Sequence, residues 1–230
     1  MRPVALALFC LTVLPHAARA QASNQLWGEA TVNWFATDNV TYQLKTEPKS
    51  NPATLDVTPQ VTYTLLAWAD VLAEVQLEAQ SGSEPSATPR FGAELHILSR
   101  LIFTQPTTDA EREKPPRRRI VVSTLLRFED AQGAWTLRDR FNLAYPFNRP
   151  KTTSDGAVFL IADSELFMPF DRPPGGDLVN EVRIRTGIGY RKNFAWRFDV
   201  LYIWDGIRHA DVGPLTPKFH AIDIRVLRQF

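Results

Sequence analysis

The sequence predicts an all-β protein: an antiparallel transmembrane β-barrel of about twelve strands, with ten as the fallback. Three observations lead there. Polar and apolar residues alternate with a period of two almost end to end, the mark of strands with one dry and one polar face. Several alternating segments exceed ten residues, whereas strands of soluble sandwiches usually run about 5–6 and membrane strands need about 9–11 to cross a bilayer at a tilt. The chain also opens on what reads as an export signal.

That opening, "MRPVALALFCLTVLPHAARA", has an early Arg2, an apolar run from Val4 to Leu14 and a small-x-small end at Ala18-Arg19-Ala20. Residues 1–20 are therefore expected to be a cleaved signal peptide, and residues 21–230 a single barrel domain. No later run approaches the roughly 20 apolar residues a spanning helix needs. Cleavage removes two of the 26 basic residues and none of the 25 acids, leaving 24 against 25. Near-neutrality argues against nucleic acid as a partner. Cys10, the only cysteine, leaves with the signal and lacks the small residue expected before a lipoprotein cysteine. A mature exported chain without cysteine has no disulfides, zinc thiolates or thiol nucleophile, and bacterial export suits it.

Eleven alternating segments follow in order. Strands are drawn at 26–36, 39–47, 55–67, 71–81, 90–103, 118–129, 134–144, 156–168, 178–191, 194–205 and 217–229. They are broken by "EPKSNPA", "SGSEPSATP", "TQPTTDAEREKPP", "NRPKTTSDG" and "DRPPGGD", where most of the 17 prolines fall. No segment sustains a helical period. Single-chain bacterial barrels have even strand numbers, so a missed or merged strand is expected. Counting back from a periplasmic C-terminus puts the short turns near Thr37, Trp68 and Lys192 on the periplasmic side, and the long connections at 104–117 and 145–156 with them.

Within 194–205 the apolar face reads Phe194, Trp196, Phe198, Val200, Tyr202, Trp204. Eight residues separate Trp196 from Trp204, about 26 Å along a strand and about 20 Å along the normal of a tilted barrel. Trp196, Tyr202 and Trp204 are thus expected at two membrane interfaces. In "HAIDIRVLRQF" the residues Ile222, Ile224, Val226 and Phe230 share one parity and resemble the C-terminal assembly signal of outer-membrane barrels. Arg228 stands where that signal carries an apolar residue.

The opposite parity carries charge: Glu74, Gln76 and Glu78; Glu94 and His96; Arg127 and Glu129; Arg138, Arg140 and Asn142; Asp163 and Glu165; Glu181, Arg183 and Arg185; Arg197 and Asp199; Asp223 and Arg225. That is nine acids and seven arginines besides His96. In a barrel they point inward, where they must be paired or wet, and arginine offers bidentate geometry to a carboxylate. A barrel of this size is narrow, so the expectation is a plugged or very narrow lumen.

Several stretches resemble one family of bacterial outer-membrane β-barrel proteins known as a domain of unknown function. They are "LWGEATVNW", "RFED", "LRDRFNLAY", "DSELF", "NEVRIRTGIGYR" and "FDVLYIWD", and together they span most of the mature chain. The segment "RFED" departs from the pattern, which expects a second Arg after the acid. The resemblance implies a barrel in the outer membrane and supplies no activity, cofactor or catalytic residue.

The expected role is structural or that of a narrow channel, among outer-membrane lipids and lipopolysaccharide, after delivery by barrel-assembly machinery. Two other classes compete. A lipid-modifying enzyme would cast His96 with Ser99, or His209 with Asp211, as catalytic groups, but His96 and Ser99 have opposite parity and no nucleophile or metalloprotease motif is present. A soluble periplasmic lipid-binding β-protein explains the alternation but not the strand lengths. The charge run "EREKPPRRR" (111–119) reads as a solvated loop before a lipopolysaccharide contact. Asp163 and Glu165 read as structural before an acid–base pair.

Overall fold

The computed structural model describes residues 23–50, 52–97, 120–131, 133–171, 176–208 and 213–230. Its strands are β1 (Ser23–Phe35), β2 (Val40–Ser50), β3 (Ala53–Leu66), β4 (Ala69–Gln80), β5 (Ser86–His96), β6 (Val121–Ala131), β7 (Ala134–Pro146), β8 (Ala157–Pro169), β9 (Glu181–Asn193), β10 (Trp196–Ile207) and β11 (Thr216–Gln229). Each is 11 to 14 residues long. The drawn segments find their strands, with ends shifted by a few residues. The part of 90–103 beyond residue 97, the signal segment 1–20 with Cys10, Ser99, His209, Asp211 and the run 111–119 lie outside the described residues.

All eleven strands close into one barrel in chain order. The eleven segments drawn from the periodicity are the eleven strands of the ring, and the even number expected of single-chain bacterial barrels is not reached, because β1 pairs with β11 in parallel, from Ser23↔Phe219 to Asn33↔Gln229. Every other seam is antiparallel. An up-and-down chain with an odd number of strands ends at the barrel pole opposite its start, so its first and last strands can meet only in parallel. Strands β1, β3, β5, β7 and β9 all end at the C-terminal pole, so the connection that follows β7 lies beside the C-terminus, as counted from the sequence, while 104–117 falls outside the described residues.

Local chemistry sets the hairpins. In the β1–β2 turn the Thr37 hydroxyl accepts from the amides of Asn39 and Val40 at 3.3 and 3.0 Å. In the β9–β10 turn Asn193 Oδ1 accepts from the amides of Ala195 and Trp196, both at 3.0 Å. At β6–β7 Asp130 Oδ1 accepts from the Gly133 amide at 2.7 Å, and Gly133 has φ +87°, a conformation few L-residues take.

The inward face mixes charged with apolar residues, and the outward face carries large apolar ones. Along β8 the buried residues are Ala157, Phe159, Ile161, Asp163 and Glu165, all facing the lumen. Along β10 the inward set is Arg197, Asp199, Leu201, Ile203 and Asp205, while Phe198 and Val200 face out at 39% and 54% exposure. Outward residues elsewhere are large and apolar, among them Leu44, Val61, Val75, Phe91, Phe141, Ile188 and Ile224. Aromatics gather at both ends of this wall: Trp34, Tyr42, Tyr63, Tyr190 and Trp196 toward the C-terminal pole, Phe128, Trp135, Phe170, Tyr202 and Trp204 toward the other.

Two apolar clusters and a set of charged side chains lie on the inward face. Ala144, Ala157, Phe159, Ile161 and Leu201 form one cluster, and Trp27, Ile203, Phe219 and Ala221 the other. Gly187 and Gly189 on β9 make room for the first: a Cβ at 189 would lie 2.3 Å from the Phe159 ring, and one at 187 only 2.0 Å from the Val200 carbonyl oxygen.

Candidate functional site

The inward positions of β4 to β10 place one continuous Arg–carboxylate network across the lumen. Its hub is Glu165, 1% exposed. Glu165 Oε1 accepts from Arg138 Nη2 at 2.6 Å, Arg138 Nε at 3.0 Å and Arg127 Nη2 at 3.1 Å. Its Oε2 accepts from Arg185 Nη2 at 2.9 Å, with Arg183 Nη1 at 3.9 Å. Each arginine then reaches a second acid: Arg127 to Glu74 at 2.7 Å, Arg138 to Glu129 at 2.7 Å, and Arg185 to Asp163 at 2.8 Å. Asp163 also holds Arg140 at 2.8 Å. This is the forked geometry for which arginine is suited, and it satisfies carboxylates that would be prohibitively costly to bury alone.

Register explains the hub. On β8, Glu165 lies opposite Arg140 of β7 and Arg183 of β9, and Asp163 lies opposite Arg185. On the β6–β7 seam Arg127 faces Arg138 directly, a like-charge pair that is unfavourable by itself and that Glu74, Glu129 and Glu165 neutralise. Arg183 joins charge to apolar filling: it holds Asp205 at 2.6 Å and Glu181 at 3.2 Å, and its guanidinium lies 5.5, 5.2 and 5.8 Å from the rings of Trp27, Phe167 and Phe219. Stacking of this kind suits a weakly hydrated cation.

The charged positions expected inward do face the lumen, but they form separate groups. Arg197 pairs with Asp199 at 2.7 Å, and Asp223 with Arg225 at 2.6 Å. His96 Nε2 lies 2.7 Å from Asp70 Oδ2, with Glu94 beside them. Glu78 faces the lumen without an ion pair among the described residues.

Sequence reasoning missed several members. Arg90 bridges Glu129 at 2.7 Å and Glu74 at 3.6 Å; it shares the parity of Glu94 and His96, and that was the available signal. Asp205 lies one step beyond Ile203 on the face that carries Asp199. A further group on β1–β3 comprises Glu29, Lys45, Glu47, Lys49 and Asp56: Lys49 holds Asp56 at 2.7 Å, Lys45 holds Glu47 at 3.1 Å, and Arg225 reaches Glu29 at 3.5 Å. The alternation of Lys45, Glu47 and Lys49 was visible in the chain.

Of the expected interface aromatics, Trp196 and Trp204 both face outward at opposite ends of β10, and Tyr202 hydrogen-bonds His220 Nδ1 at 2.5 Å on the same outer face. Ile222, Ile224, Val226 and Phe230 share the outer parity of β11. Arg228 is accommodated on that face between aromatic rings, 4.7 Å from the centroids of both Trp196 and Phe230, and Phe230 stacks on Trp34 at 6.4 Å.

No curated protein matches the chain. A family model described as "Protein of unknown function (DUF2490)" matches residues 24–212, which takes in β1 through β10, and the chain belongs to that family.

Proposed function

We propose that the protein is a bacterial outer-membrane β-barrel whose lumen is closed by a fixed charge network, with a structural or narrow-path role rather than that of a general pore. The observation that carries this reading is the inversion of the two faces: Val200, Ile224 and Ile188 are 54%, 50% and 51% exposed, while Glu165, Asp205 and Asp223 are at most 1% exposed. Water-soluble monomers rarely expose contiguous apolar surface beyond a few hundred Å², and an apolar wall that circles the barrel between two aromatic rims suits a bilayer. On this reading membrane lipid and lipopolysaccharide cover the wall. The outward parity of Ile222, Ile224, Val226 and Phe230 fits delivery by barrel-assembly machinery.

The test is heat-modifiability with fractionation. The mature chain, folded in detergent, is expected to migrate faster unboiled than boiled, and the cellular protein to sediment with outer membranes. A chain that stays soluble without detergent and migrates identically in both states would overturn the proposal.

A further inference from the structure

At the lumen mouth of the C-terminal pole, Asp70 of β4 and Glu94 of β5 are direct cross-strand partners, and His96 lies two residues beyond Glu94 on the same face. One ligand atom from each of the three lies within 4.8 Å of the others. Two carboxylates placed directly opposite each other repel. In the central network such acids are matched by guanidinium groups; here the paired base is one imidazole, with His96 Nε2 2.7 Å from Asp70 Oδ2. Two unmet demands remain. Asp70 Oδ1 is fully enclosed and has no hydrogen-bond donor, and Glu94 makes no hydrogen bond or ion pair among the described residues. Among the described residues, two facing carboxylates with no Lys or Arg paired to them and an enclosed oxygen without a donor make a demand for a cation.

We propose that Asp70, Glu94 and His96 bind a divalent transition metal of the zinc class. The donor set decides the class: imidazole nitrogen with carboxylate oxygen suits zinc, whereas calcium and magnesium take oxygen ligands. In tetrahedral coordination at about 2.1 Å, ligand atoms sit about 3.4 Å apart. The His96–Asp70 contact therefore opens by about 0.7 Å and gives up its bridging hydrogen, while Glu94 closes in; both are side-chain movements. Water fills the fourth position. The side chains of His96 and Asp70 are 18% and 13% exposed, so an ion can enter from the mouth. Bound metal ties β4 to β5 where the chain leaves β5 for its longest connection.

The experiment uses the full chain without a histidine tag, folded in detergent, stripped with chelator and titrated with Co²⁺ while visible absorption is recorded. One saturating equivalent is expected, displaced by Zn²⁺ and not by Mg²⁺ or Ca²⁺. His96→Ala should abolish the signal, and the isosteric Glu94→Gln should weaken binding by about tenfold or more. Far-UV circular dichroism establishes that each variant is folded, and Glu94→Gln, which keeps side-chain shape, serves if His96→Ala is not. Absence of saturable Co²⁺ or Zn²⁺ binding, equal displacement by Ca²⁺, or unchanged binding in a folded variant would overturn the proposal.

Discussion

Replacing Glu165 by Gln asks how much of the barrel's stability rests on its lumen network. Gln keeps the shape and one carbonyl oxygen, so the packing around residue 165 is preserved. What goes is one negative charge, and an amide N–H is turned toward a guanidinium. Around Glu165, six arginines (Arg90, Arg127, Arg138, Arg140, Arg183 and Arg185) meet six acids (Glu74, Glu129, Asp163, Glu165, Glu181 and Asp205), and the exposed Lys218 reaches Glu181 from the edge at 3.0 Å. The variant leaves one guanidinium charge unmatched at a site 1% exposed. Removing one partner of a buried ionic group costs about 3–5 kcal/mol. With a urea m-value of about 3 kcal/mol/M, the unfolding midpoint falls by roughly 1–1.7 M. The assay is equilibrium urea unfolding in detergent micelles, followed by tryptophan fluorescence. Glu78→Gln, at an inward position without an ion pair, is the control and should stay within about 0.5 kcal/mol of wild type. A Glu165→Gln midpoint within about 0.2 M of wild type would mean that water enters and screens the network, and would refute the closed lumen.

Three further outcomes follow from the same geometry. Val200→Arg, mid-wall on the outer face, should cost about 2–4 kcal/mol in a lipid bilayer, against about 0.5 kcal/mol if that face were in water; unfolding from vesicles separates the two. Gly187→Ala should fail to yield folded protein on dilution from urea, because the new methyl would lie 2.0 Å from the Val200 carbonyl, which the β9–β10 ladder holds in place; refolding yield by circular dichroism checks this. Phe159→Ala should lower stability by about 3–5 kcal/mol in the same urea assay, since Phe159 is 1% exposed and no neighbouring strand can collapse into the space.

Much of the fold was legible because the decisive signal is local. A strand presents alternate residues to opposite faces, so Glu181, Arg183 and Arg185, or Phe198, Val200 and Tyr202, declare their sides without reference to any other strand. Turn chemistry at Thr37 and Asn193 is equally local. The even count failed because strand number is not local: eleven strands were drawn, and closure with a parallel β1–β11 seam makes eleven sufficient. Arg90, Asp205 and the group from Glu29 to Asp56 escaped notice because parity was read strand by strand, and short or proline-broken alternation such as "YQLKTEPKS" carries little weight alone.

By itself, then, the sequence determined which side chains face inward, that they are charged in near balance, and that the wall is apolar. Only the tertiary structure decided who pairs with whom. Arg127 meets Glu74 from 53 positions away and Glu165 from 38, and nothing within either strand marks that choice. It also decided that Glu165 is the hub, that Glu78 has no ion pair among the described residues, and that Asp70 and Glu94 confront each other beside His96. The reason is physical: facing direction follows from the two-residue period of one strand, whereas contact depends on the register of several strands closed into a ring, and a shift of two residues on one seam would keep every face and exchange every partner.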